Sequence, residues 1–362
     1  MKKNIALLIV TAFALFIISE LSVRVIDWRG GHSFWSNAHR NFLVRETKPV
    51  IPYRIYGWNL YKTIGGEQFI VSVHGERYPL KKPGDAFRIV TFGGSTTKNF
   101  VDGVHYPLLL ERRLQERYPE KRIEVINVGN SAYTTIHSLS LFMFDMLSWN
   151  PDLIIVSHNI NDLLNAYFPH LTPDYSNQYG SKFYLPQYKN RLTTMNALFG
   201  WSSFYWFGRE RIGDFLSDIG YKSAGSYRRA SYGNEPPELI KQLFKRNLET
   251  FAAVARAHAI PVIFGTQPFE SSEDYFDIAM RHRPFNGVVI WPLHTELIAH
   301  HKKLNEIIKE VALEQNEYLV DNNASFNDDP SYFVDFVHYQ RKGLEKLAEN
   351  YAAFIITNNM VK

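Results

Sequence analysis

The 362-residue chain contains no cysteine. Disulfides, thiol nucleophiles and thiolate metal sites are excluded with it, although a compartment is not assigned by that absence. No run is dominated by lysine or arginine, and a net charge of +4 is mild over this length, so nucleic acid is not the expected partner. There is no internal repeat, no low-complexity tract and no GxGxxG. Asp335, His338 and His158, the nearest approach to a metal set, lack paired histidines at helical spacing, and no metal or cofactor is expected. With 45% hydrophobic and 21% charged residues, the composition is that of an ordinary folded protein with ample apolar surface to bury.

Long hydrophobic runs are scarce, and the single conspicuous one lies at the N-terminus. Lys2 and Lys3 precede IALLIVTAFALFIIS (5–19), which lacks the polar residues of an amphipathic core helix. It exceeds a usual signal-peptide core and spans a bilayer only with residues 20–25 included. The reading is an uncleaved transmembrane helix over 1–25, with a cleaved signal as the alternative. The two lysines then hold the N-terminus in the cytoplasm and place the rest of the chain on the extracytoplasmic side. Residues 26–86, rich in aromatics, glycine and proline, read as a stalk with one strand at 69–73.

From residue 87 onward the pattern becomes regular. RIVTF (88–92), IEVINV (123–128), LIIVSH (153–158), IPVIFG (260–265) and YLVD (318–321) are short Val/Ile-rich runs without strict alternation, as expected of strands buried on both faces of a parallel sheet. Helical patterns at 107–119, 236–258, 304–315 and 342–356 separate or follow them. The alternation predicts an α/β doubly wound parallel sheet over 87–362. Only the aromatic-dense segment at about 165–234 breaks the rhythm, as an insertion.

In open α/β sheets ligands bind beyond the carboxyl ends of the strands. Residues at those positions here are Gly93-Gly94-Ser95-Thr96, Gly129-Asn130-Ser131-Ala132 and His158-Asn159-Ile160-Asn161-Asp162, with Asp335-Phe336-Val337-His338 after the last strand. Hydroxyl-based nucleophilic catalysis needs an exposed serine, a base, a group that orients the base, and donors for the oxyanion. Ser95, His338, Asp335, the backbone near Ser95 and Ala132, and the Asn161 amide supply that set. Each residue also has a structural reading: a tight glycine turn, a helix cap at Asp335, a buried histidine at 158. A phosphate loop fits less well, because no Lys-Ser/Thr follows the glycines.

FGGSTT, VINVGNSAYTT, SHNIND and DFVH, in that order, resemble the four sequence blocks of the SGNH (GDSL-like) hydrolases. The resemblance implies a flavodoxin-like three-layer fold and ester hydrolysis or acyl transfer. It implies Ser95 as nucleophile, Asp335 and His338 as its triad partners, and an oxyanion hole from Ser95, Ala132 and Asn161. Gly94, Gly129, His158 and Asn159 would line the site. Two departures stand out. Ala132 occupies a family glycine position, tolerable where its φ is negative, and Asn159 replaces another family glycine.

The expected activity is that of a membrane-anchored serine esterase acting on O-acyl groups of a carbohydrate or cell-envelope polymer. Transfer of the acyl group to a sugar hydroxyl, or a non-catalytic binding module on the same fold, are the alternatives.

Overall fold

A computed structural model describes residues 2–29, 60–168, 170–175, 177, 199, 201–205, 207–208, 228–229, 231–272, 284–285, 288–289 and 291–362. The chain folds as two units. Most of the aromatic segment expected at 165–234 lies outside the described residues.

The smaller unit contains helix α1, Lys2–Arg29. Leu7, Leu8, Val10, Phe13, Leu15 and Ile18 on it are exposed. Glu20 is buried, and its carboxylate accepts from Ser202 Oγ at 2.7 Å and from the backbone N–H groups of Ser203 and Phe204. Arg24, one turn along, completes the arrangement with an ion pair at 2.7 Å. The sequence predicts a transmembrane span here; among the described residues no helix is long and apolar enough to cross a membrane.

The larger unit begins with an antiparallel sheet of β1 (Tyr61–Ile64), β2 (Glu67–Val71) and β3 (Arg77–Pro79). The sequence predicts one strand in this stretch. All four residues of β1 are exposed, so it carries no apolar pattern by which to find it.

The central sheet has five parallel strands. They are β4 (Ala86–Gly93), β5 (Arg122–Asn127), β6 (Leu153–Ser157), β7 (Val262–Gly265) and β8 (Tyr318–Val320). Their spatial order is β8-β7-β6-β4-β5, which in chain order is 2-1-3-4-5, the flavodoxin-like arrangement. β4 is buried along its whole length, as a strand with helices on both faces must be. Phe87 and Ile89 join Leu110, Leu114, Leu344 and Tyr351 in one core. Those partners come from α2 (Tyr106–Arg117) and from α3 (Arg341–Thr357). Phe92 projects to the opposite face, edge-on to Phe142 and Phe251 at 5.6 Å.

Three further helices help to position the site: α4 (Thr135–Phe144), α5 (Glu238–Ala257) and α6 (His294–Glu314). The α5 pattern is read correctly from sequence, because Ile240, Leu243, Phe244, Leu248 and Phe251 form one buried stripe. α6 starts ten residues before its predicted position at 304. Its early turns bury His300 and His301, which interrupt the apolar stripe. Glu296 fixes its start by accepting from the N–H of Leu293 at 2.8 Å.

Candidate active site

The ends of β4 and β6 lie side by side, with Gly93 paired to Ser157. This is where the sheet order reverses direction in sequence, the topological switch point at which such folds bind ligands. Ser95 opens the four-residue helix Ser95–Lys98, and Asn161 lies in the helix Ile160–Ala166.

The glycines before Ser95 do not serve the turn by adopting unusual dihedrals: Gly94 has φ −86°. They are required by proximity. A Cβ on Gly94 would overlap the amide nitrogen of Asn161, and one on Gly93 would overlap the Thr97 hydroxyl. On Gly129 it would lie 2.7 Å from Thr97 Cβ. The three glycines let the Ser95 helix, the loop after β5 and the Asn161 helix approach to direct contact. Lys98 Nζ donates to Asn130 Oδ1 at 2.9 Å, tying the same helix to the loop that carries Ala132.

Ala132 departs from expectation. Its φ is +61°, in the left-handed region, where the family glycine would sit without penalty and alanine bears a cost of about 1–2 kcal/mol. The loop is held in that shape by its neighbours. Asn130 N–H donates to Gly93 O at 3.2 Å, Tyr133 N–H donates to Asn130 O at 3.1 Å, and Asn161 Nδ2 donates to Tyr133 O at 2.8 Å.

His338 reaches the site from the other end of the chain. Its Nε2 lies 2.8 Å from Ser95 Oγ, and its Nδ1 lies 2.7 Å from Asp335 Oδ2. Asp335 Oδ1 accepts from the N–H groups of Val337 at 2.9 Å and His338 at 2.8 Å. Burial disfavours charge on Asp335, but the hydrogen bond from His338 and those from the backbone outweigh it and hold the carboxyl below its ordinary value. An ionised Asp335 only accepts, so His338 Nδ1 carries the proton and Nε2 accepts from the Ser95 hydroxyl. Asn99 Nδ2 donates to Tyr339 O at 2.9 Å and fastens the two chain segments beside this contact.

Ser95, His338 and Asp335 are thus brought together, and Asn161 packs against Gly94. The other two residues named from sequence are engaged elsewhere. His158 is buried with Nε2 2.8 Å from Ser138 Oγ, and Asn159 Nδ2 donates to His301 O and Asn305 Oδ1, both at 2.9 Å. Both anchor the helices on that face of the sheet. Sequence reading places Thr96 at the strand end without giving it a part, and misses Asn99 and Gln267. The strand-end rule applied to β7 points to Gln267, which comes two residues after it.

Buried titratable groups around the site give the fold a pH dependence. Burial pushes the imidazoles of His158 and His301 down to about 3 and that of His137 down to about 4. Burial pushes the Asp162 carboxyl up to about 7, against hydrogen bonds from Thr135. For the histidines the unfolded chain binds more protons below about 6.5, so their contribution is lost as pH falls. Asp162 has the opposite sign and gains as pH falls from 7 toward its unfolded value. Between pH 7 and pH 5 the histidines cost about 2 kcal/mol each and Asp162 returns about 2 kcal/mol, a net loss of about 3–4 kcal/mol. Urea midpoints at the two pH values measure it. His158→Asn is expected to flatten the slope by about 1 kcal/mol per pH unit; an unchanged slope would refute the assignment.

No curated protein matches the chain in sequence. Among solved structures, a lipase/acylhydrolase from Enterococcus faecalis is 17% identical, covering 75% of this chain and 96% of its own, with a TM-score of 0.43. An acetylxylan esterase from Geobacillus stearothermophilus is also 17% identical, covering 74% and 94%, with a TM-score of 0.43. An alpha/beta hydrolase from the Lake Arreo metagenome is 16% identical, covering 78% and 99%, again with a TM-score of 0.43. The profile of the GDSL-like Lipase/Acylhydrolase family matches residues 91–346, a span that opens three residues before Gly94 and takes in Ser95, Asn161, Asp335 and His338. The chain therefore belongs to the GDSL-like Lipase/Acylhydrolase family and is an ester-bond hydrolase.

Proposed function

We propose that the protein is a membrane-held serine esterase that removes O-acyl groups from carbohydrate or cell-envelope substrates, using Ser95, His338 and Asp335. The observation that carries the reading is the unbroken relay from Ser95 Oγ to His338 Nε2 at 2.8 Å and from His338 Nδ1 to Asp335 at 2.7 Å. As Ser95 Oγ attacks the ester carbonyl, its proton passes to His338 Nε2, and Asp335 stabilises the resulting imidazolium. The Asn161 amide has two N–H groups. One donates to Tyr133 O, and the second, with the backbone N–H groups of Ser95 and Ala132, meets the developing oxyanion. Collapse of the tetrahedral intermediate expels the alcohol, which takes the proton from His338. Water then attacks the acyl-enzyme by the same steps in reverse and releases the acid.

The membrane part of the reading rests on the apolar run at 5–19 and on the exposed leucines and phenylalanine of α1. It places the N-terminus in the cytoplasm and the catalytic unit on the extracytoplasmic side.

A serine-reactive fluorophosphonate is expected to label the full-length chain at one site, with labelling lost in His338→Ala. Acetylated xylo-oligosaccharides, the chemistry named for the Geobacillus structure, form a first panel for acid release beside small acyl esters. Labelling that persists without His338, with no acid released from any ester, would sink the triad assignment. Carbonate extraction of membranes tests the anchor separately: protein that stays in the pellet supports it, and protein washed free opposes it.

A further inference from the structure

Ser95 and Asn161 stand on different helices, each short and each following a different strand. A four-residue helix and a seven-residue helix lack the length to fix themselves, yet oxyanion chemistry depends on the spacing between the two groups. One side chain spans them. Gln267, which follows β7 and is 2% exposed, accepts at Oε1 from the N–H of Ile160 at 2.8 Å and donates from Nε2 to Thr96 Oγ1 at 3.0 Å. Thr96 is the residue after Ser95, and Ile160 is the residue before Asn161. The Ile160 N–H can only donate, so the atom facing it is the amide oxygen, and the nitrogen must face Thr96.

Gln267 is itself held from the opposite side. Asn305 on α6 accepts from the Gln267 N–H at 3.0 Å and donates to its carbonyl at 2.9 Å. Asn159 donates to the same Asn305 oxygen at 2.9 Å, and His301 Nε2 lies 3.4 Å from Gln267 Oε1. Thr96, Asn159, His301 and Asn305 are all buried, so water does not compete for these bonds and the network has one arrangement.

We infer that Gln267 is a positioning residue for ester hydrolysis, a strut that sets the distance between the nucleophile Ser95 and the oxyanion amide of Asn161. The inference rests on the triad and oxyanion reading above and extends it to a residue outside both. Gln267 touches no reacting atom. It acts through Thr96 on one side and Ile160 on the other, and its loss should lower kcat while leaving substrate affinity in place.

The test is steady-state hydrolysis of a small acyl ester by the full-length protein. Gln267→Met keeps the length and removes both hydrogen bonds. It is expected to lower kcat roughly 10- to 100-fold with KM within about twofold. Thr96→Val should lose part of the same factor, and Thr96→Ser, which keeps the hydroxyl, should restore kcat. The losses of Gln267→Met and Thr96→Val should combine to less than their product, since they sever one shared contact. Leu114→Ala, a core truncation in α2, lowers Tm without touching the network and should leave kcat unchanged. If Gln267→Met fails to fold, the Thr96→Val and Thr96→Ser pair decides. Wild-type kcat in Gln267→Met or in Thr96→Val, beside an inactive Ser95→Ala, overturns the strut and leaves the triad standing. A Leu114→Ala enzyme that loses kcat as much as Gln267→Met also overturns it, because stability alone then explains the loss. Activity remaining in Ser95→Ala overturns the triad reading and the strut together.

Discussion

Ser95→Ala is expected to lower kcat for ester hydrolysis by roughly 10,000-fold or more while shifting stability by less than about 1 kcal/mol. The hydroxyl is half-buried and its partner is His338 Nε2 at 2.8 Å, so its removal takes away the proposed nucleophile without opening the core. His338→Ala should fall to a similar rate, because an unassisted serine keeps its proton at neutral pH. The double variant should be no slower than either single one, since the two residues perform one step. Asp335→Ala should retain more activity than either. His338 keeps its contact with Ser95 but loses the acceptor that fixes Nδ1 as the protonated nitrogen. Single-turnover rates with a chromogenic ester, beside thermal melts of each variant, make the comparison. Multiplicative losses in the double variant would show that Ser95 and His338 act independently, contrary to the relay.

The second large effect concerns the root of the strand that presents Ser95. Arg88 near the start of β4 is fully buried, with Nε 2.8 Å and Nη2 2.7 Å from Glu124 Oε2. Its other donors reach the carbonyl oxygens of Trp149 at 2.8 Å and Pro79 at 2.7 Å. One guanidinium thereby joins β4, β5, β3 and the turn before β6. Arg88→Ala leaves the buried Glu124 carboxylate with Arg122 Nε, 2.9 Å from Oε1, as its remaining ion-pair partner and removes the guanidinium from the carbonyls of Leu80, Trp149 and Pro79. It should cost about 3 kcal/mol, a large share of the stability of a domain. Glu124→Gln should cost less, because the guanidinium keeps its carbonyl partners. Arg88→Met with Glu124→Leu removes both charges and should recover part of the loss. Denaturant midpoints order the three variants. A double variant no more stable than Arg88→Ala would indicate that the lost carbonyl bonds, rather than the carboxylate left without Arg88, dominate.

How legible each feature is in the sequence depends on how it is encoded. β4, β5, β6 and β7 show as β-branched runs because they are buried along nearly their whole length, and α5 shows because its inner face is apolar apart from Asn247. Ser95, Asn161, Asp335 and His338 can be found because strand ends collect functional groups in this architecture. Features that depend on contact between distant segments leave no local trace. The glycines at 93 and 94 are demanded by Thr97 and Asn161, and the left-handed φ of Ala132 is imposed by bonds to Gly93 and Asn161. The early start of α6 is hidden for the same reason, since His301 and Asn305 face the interior for their hydrogen bonds. Gln267 escapes notice because glutamine after a strand is ordinary until Thr96 and Ile160 are seen on either side of it.

The separation of 243 positions between Ser95 and His338 bears on how the enzyme is made. During synthesis Ser95 emerges early, just after β4 and before β5 and β6. Its proposed base arrives only with the segment after β8, so on that reading a nascent chain carries an unactivated hydroxyl for most of its elongation. On the proposed triad, hydrolytic competence therefore waits for the segment that carries His338 and helix α3. A chain interrupted before that segment would then lack the proposed base, whatever portion of the sheet it has managed to fold.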